Sequence, residues 1–81
     1  MDVRVLFFAS TREIVGKNSI EIKLNEGATI RDLRNELAKQ FPELGSVEKK
    51  IAVAINEQYV VDDVSLVNGD EVALIPPVSG G

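Results

Sequence analysis

The chain contains no cysteine and no histidine. The first absence rules out a disulfide framework and any thiolate metal site. The second removes the commonest general base and the commonest metal ligand. Ser-His, Cys-His and zinc-protease arrangements are therefore excluded by inventory, and no metal site is expected. Basic residues are also sparse and scattered, nine against thirteen acidic, with Lys49-Lys50 the only adjacent pair. Nucleic-acid binding normally needs a basic stripe, so no nucleic-acid partner is expected. No apolar run approaches the ~20 residues of a membrane span. The N-terminus opens on a strand-like segment instead of a signal peptide. These features predict a cytoplasmic protein, and the lack of cysteine fits a reducing compartment.

What is present is a chain of 81 residues with a net charge of -4 and 44% hydrophobic residues. That length allows one domain, residues 1–81, with one small core. Val3 to Ala9 is rich in β-branched and aromatic residues and reads as a strand. Ser10 to Lys17 reads as a polar loop with a helical turn, closing near Gly16. Ser19 to Leu24 alternates, placing Ile20, Ile22 and Leu24 on one buried face. Asn25-Glu26-Gly27 marks a turn.

Thr29 then caps a helix, with Asp32 three residues on in a variant of the capping box. Ile30, Leu33, Leu37 and Phe41 recur at three- and four-residue spacing and form one apolar stripe for packing on a core. Pro42 ends the helix. Ile51 to Ile55 is an apolar strand, and Asn56-Glu57 is a hairpin turn leading into the short strand Tyr59-Val60-Val61. Leu66 is the buried anchor of the connector that follows. Asn68-Gly69-Asp70 is a turn, with Asp70 read as a turn residue and not a catalytic acid. Glu71 to Ile75 is the last strand. This order predicts an α+β fold: a mixed sheet of four or five strands with one main helix on one face. The first and last strands pair centrally and in parallel, because a helix-containing excursion separates them.

One helix covers one face, so the other should be polar unless it binds something. Arg4 and Glu71 mark the outer sides of their strands, which places Leu6, Phe8, Ala73 and Ile75 on the face away from the helix. Tyr59 joins them if Val60 points inward. A contiguous apolar group of this kind marks a partner surface. Beside it the last strand runs into Pro76-Pro77-Val78-Ser79-Gly80-Gly81. The prolines keep a tail extended, and the two glycines are slim enough to thread a narrow channel. Residues 76–81 are thus expected to be a flexible functional tail whose terminal carboxylate is the reactive group. Arg12 and Glu13 have two readings, a local surface ion pair or a contact with a partner, and both stand.

Val5-Leu6-Phe7-Phe8-Ala9 with Arg12-Glu13 and Gly16, together with Gly69-Asp70-Glu71-Val72-Ala73 leading to Ile75-Pro76-Pro77-Val78-Ser79-Gly80-Gly81, resembles the molybdopterin synthase small subunit. This is a sulfur-carrier family of ubiquitin-like proteins, and the resemblance runs the length of the chain. It implies a β-grasp fold and a role as sulfur carrier in molybdenum cofactor biosynthesis. It implies that Gly81 is adenylated, converted to a thiocarboxylate, and donates sulfur to cyclic pyranopterin monophosphate in complex with the large synthase subunit. Gly80 then gives clearance in the channel, and Phe8, Tyr59 and Ile75 match interface positions. The implied partners are the large subunit, in a heterotetramer of two small and two large subunits, and an adenylating enzyme that uses ATP. No cofactor bound to this chain and no side-chain catalytic machinery are implied. The alternatives are a sulfur carrier of the thiamine type and a ubiquitin-like protein modifier.

Overall fold

The computed structural model describes residues 1–46 and 50–77. The elements run β1 (Asp2–Phe7), α1 (Ala9–Val15), β2 (Ser19–Lys23), α2 (Ile30–Gln40), a 3-10 turn (Pro42–Ser46), β3 (Ala52–Ile55), β4 (Gln58–Val60) and β5 (Glu71–Ile75). They form one five-stranded sheet in the order β2-β1-β5-β3-β4. β1 and β5 run parallel, with Val5 opposite Val72 and Phe7 opposite Leu74. The other pairs, β1 with β2, β3 with β5 and β3 with β4, are antiparallel. This is the expected mixed sheet, with α2 crossing one face between β2 and β3. No helix among the described residues is long and apolar enough to cross a membrane.

The core lies between α2 and the sheet. Val3, Val5 and Phe7 from β1 and Val72 and Leu74 from β5 are buried there against Ile30, Leu33 and Leu37 of α2. Phe41 closes the stripe, its ring meeting that of Phe7 edge-on at 6.2 Å between centroids, a favoured aromatic geometry. Leu66 is buried in the same cluster, as its sequence context predicted. The helix start matches the predicted cap: Asp32 N–H donates to Thr29 Oγ1, and Thr29 N–H donates to Asp32 Oδ2. A further contact was not legible in the chain. Asp63 Oδ1 accepts from Arg31 N–H at 2.9 Å, adding a carboxylate at the positive end of the helix dipole. The connector lies alongside, with Ile30 N–H donating to Val64 O and Leu66 N–H to Ala28 O.

One element departs from expectation. The strand expected to run through Ala9 ends at Phe7, and Ala9–Val15 form the α-helix α1 where Ser10 to Lys17 reads as a loop with one turn. It is too short to display an amphipathic period, so hydrophobic spacing carried no signal for it. Tertiary bonds stabilise it instead. Thr11, fully buried, accepts from Phe8 N–H at 2.9 Å, and its hydroxyl lies 2.7 Å from Phe8 O and 3.3 Å from Leu74 O. The helix stops at Gly16, whose φ of 79° suits glycine.

Substitutions at two positions should separate these contributions in urea denaturation. Leu33→Ala is expected to lower the unfolding free energy by about 3 kcal/mol, as a fully buried leucine lost from a close-packed core. Thr11→Val should cost about 1–2 kcal/mol, because it leaves the Phe8 amide without its partner, and Thr11→Ser should recover most of that loss.

Candidate functional site

The parity of β1 and β5 divides their side chains between two surfaces. The odd residues of β1 and the even residues of β5 enter the core, which leaves Leu6, Ala73 and Ile75 on the opposite face. Register then lines up one row across four strands: Tyr59 opposite Ala54, Ala54 opposite Ala73, and Ala73 opposite Leu6. The two central positions are alanines, so the row dips between its larger ends. The result is a shallow depression of about 280 Å³ lined by Leu6, Phe8, Ala54, Tyr59, Ala73 and Ile75, with Glu57 and Glu71 at its rim.

Phe8 reaches this face because the chain leaves β1 in a particular way. Phe8 itself stays extended, at φ -131° and ψ 148°. The reversal falls on the next residue, Ala9, at φ 49°. The Thr11 hydroxyl fixes both the Phe8 backbone and the end of β5. Phe8 is therefore 44% exposed, against near-complete burial of Phe7, and Tyr59 on β4 is 69% exposed. The structure thus brings together the three predicted interface residues, Phe8, Tyr59 and Ile75, in one depression. Leu6 and Ala73 lie there as expected from strand parity. Glu71 lies on the outer face as its strand parity predicted, whereas Ala54 and Glu57 were not anticipated, since the pairing of β3 with β5 and the hairpin that follows β3 bring them there.

The last strand ends at this depression. Ile75 lines it, Pro76 is buried and Pro77 is exposed. Gly80 and Gly81 lie outside the described residues. Asp70 serves a turn, as predicted, and does so while nearly buried: it accepts from Val67 N–H at 2.8 Å and from Asn56 Nδ2 at 3.0 Å. Arg12 and Glu13 are exposed on α1. No ion pair joins them among the described residues, so the local-pair reading fails. Adjacent residues on a helix point to different sides, and only residues three or four apart meet. No group of three or more carboxylates among the described residues is placed to hold a metal ion. What the outer face offers is shape and apolar area: a shallow recess with Glu57 and Glu71 among its lining residues, beside the strand end that leads to the C-terminus.

The chain matches the ThiS family model over residues 5–81. It is 43% identical to the molybdopterin synthase sulfur carrier subunit of Chlamydomonas reinhardtii, across the whole of both chains. Its fold superposes on SAMP1 from Haloferax volcanii with a TM-score of 0.89 at 28% identity, again covering both chains completely. It superposes with a TM-score of 0.75 and 29% identity, over the full length of both chains, on a chain of the complex of subunits 1 and 2 of the molybdopterin-converting factor from Helicobacter pylori. By the extent of the family match and by full-length identity to its relatives, the chain belongs to the ThiS family of sulfur carriers.

Proposed function

We propose that this protein is the sulfur carrier subunit of a molybdopterin synthase, and that Gly81 carries the sulfur. The observation that supports this most directly is the apolar outer face beside Pro76, at the point where β5 hands over to the tail. A body that docks through its sheet and a tail that leaves from the docked edge can place a chain terminus inside a partner. The partner on this reading is the large synthase subunit. The Helicobacter pylori relative is seen in complex with subunit 2 of its converting factor, and the Chlamydomonas relative bears the sulfur carrier name.

The chemistry follows from the properties of a carboxylate. At neutral pH it is a poor acyl donor, because oxide is a poor leaving group. Adenylation by an ATP-using partner enzyme, with release of pyrophosphate, converts it to an acyl-adenylate. A sulfur nucleophile then displaces AMP and leaves a thiocarboxylate on Gly81. Delivery of that sulfur inside the large subunit keeps the thiocarboxylate away from hydrolysis. The acceptor is cyclic pyranopterin monophosphate, whose dithiolene needs two sulfurs and hence two successive carriers. A heterotetramer of two small and two large subunits suits that demand. A cytoplasmic setting suits a chain without cysteine, which offers no thiol to attack its own activated end.

Intact-mass analysis after incubation with the adenylating enzyme, ATP and a sulfur source should show one oxygen replaced by sulfur at the C-terminus. Conjugates to lysines of other proteins, with no thiocarboxylate, would support the modifier reading instead. Deleting Gly81 should abolish sulfur transfer while leaving the thermal melt unchanged, since it sets the carboxylate back by about 3.5 Å, far outside the tolerance of a reacting atom. Wild-type turnover by that variant would refute the carrier reading. Gly80→Val should fail through its β-branched side chain yet still bind the large subunit through the sheet face. Phe8→Asp should keep its circular dichroism spectrum and lose most of its affinity for the large subunit, because a carboxylate would enter a desolvated contact.

A further inference from the structure

The hairpin between β3 and β4 turns on Asn56 and Glu57, at φ 49° and 72°. Two-residue hairpins of this hand take Asn-Gly by preference, because both central residues need positive φ and only glycine reaches it without steric cost. Asn56 is compensated. Its N–H donates to Glu71 O at 2.8 Å, its Nδ2 donates to Asp70 Oδ1 at 3.0 Å, and its Oδ1 accepts from Glu71 N–H at 3.0 Å. Glu57 has no such support. Among the described residues neither a hydrogen bond nor an ion pair engages its carboxylate. The chain therefore holds a glutamate, in a conformation suited to glycine, at the end of a turn clamped by three hydrogen bonds.

Its position gives that arrangement a use. Glu57 lines the outer-face depression with Tyr59 and Ile75, and Glu71 stands on the same rim. Arg4 is the register neighbour of Glu71, but no ion pair joins them among the described residues. Ion pairs among the described residues lie away from this rim, for example at Lys23 with Asp2, at Arg31 with Asp63, and at the N-terminus with Glu26. An apolar centre with an uncompensated acidic rim fits a partner surface whose apolar knob is flanked by a cation. A residue kept in an unfavourable backbone region by surrounding structure is a pointer to function when it stands at a binding surface.

We propose that Glu57 is a specificity-determining contact that receives a lysine or arginine side chain of the large synthase subunit, and that its backbone conformation lowers the stability of the free protein. The proposal rests on the reading of the outer face as the docking surface for that subunit. Glu57 steers association and sets the orientation of docking, while Phe8 and its apolar neighbours supply the buried contact. Rim charges act chiefly on the association rate and on its salt dependence.

The test measures association of the full chain with the large subunit by stopped flow at several salt concentrations, alongside thermal melts, for Glu57→Gln, Glu57→Gly and Phe8→Asp. Both Glu57 variants should associate about threefold more slowly or worse at low ionic strength, with the deficit closing near about 0.5 M salt as screening removes the attraction. Glu57→Gly alone should melt higher, by about 4 °C, as the strain is relieved. Wild-type association of Glu57→Gln at low salt, a deficit that salt leaves untouched, or a Glu57→Gly melt no higher than wild type would each overturn the proposal. Phe8→Asp separates this from the underlying reading. If it fails to bind while Glu57→Gln binds normally, the docking face stands and the role of Glu57 falls. If it binds as wild type does, the face falls and the proposal falls with it.

Discussion

Parallel pairing of β1 with β5 is the contact on which the rest of the molecule depends. It joins the first strand of the chain to the last, through bonds such as Arg4 N–H to Asp70 O. Parallel strands cannot be linked by a tight turn, so the intervening chain has to travel around the sheet and back. α2 uses that excursion to cover one face. The same register sets Phe7 opposite Leu74, which places the exit of β1, at Phe8, beside the exit of β5, at Ile75. Phe8 and the end of the last strand are neighbours for this reason, although more than sixty positions separate Phe8 from Ile75.

The second consequence is an unequal pair of faces. A single helix buries the inner residues of the sheet and leaves the outer ones to be solvated or covered by a partner. Here the outer face carries a depression floored by Ala54 and Ala73 and bordered by Glu71, whose register neighbour Arg4 stands beyond it. Small side chains at those two positions let Phe8, Tyr59 and Ile75 surround a recess instead of forming a ridge. A recess offers a partner's side chain contact on several sides, which favours affinity more than a flat patch of equal area does.

Two hydrogen-bonded clamps border the outer-face depression. The Thr11 hydroxyl ties Phe8 to the end of β5, and Asn56 ties the β3–β4 turn to Asp70 and Glu71. Both are hydrogen-bonded clamps between segments distant in sequence, and both border the depression. Small domains have thin stability margins, so such clamps matter as much to the fold as to the surface. Binding groups held by supporting hydrogen bonds lose less entropy on docking than groups on free loops. Glu57 lies on one of these clamped turns, which is why its strained backbone persists.

Much of this was legible in the chain. The alternation Ser19-Ile20-Glu21-Ile22-Lys23, the stripe Ile30-Leu33-Leu37-Phe41 and the Thr29-Asp32 cap are local patterns with a fixed period, and each became the element expected. The outer placement of Phe8, Tyr59 and Ile75 followed from strand parity, which a charged residue such as Arg4 or Glu71 reveals. α1 was not legible, because a helix of two turns has no period to read and its stability comes from Thr11 reaching across to β5. Nor was the depression, since Ala54 and Ala73 are unremarkable alone and acquire meaning only when register sets them side by side. The same holds for Asn56 and Asp70, whose bridge closes a turn on residues fourteen apart. The sequence by itself determined which residues prefer strand, helix and turn, and which side of each strand turns inward, because these depend on neighbours along the chain. Only the tertiary structure decided that Ala54 and Glu57 join Phe8, Tyr59 and Ile75 around one recess and which turns are clamped, because those depend on contacts that exist only after the sheet has closed.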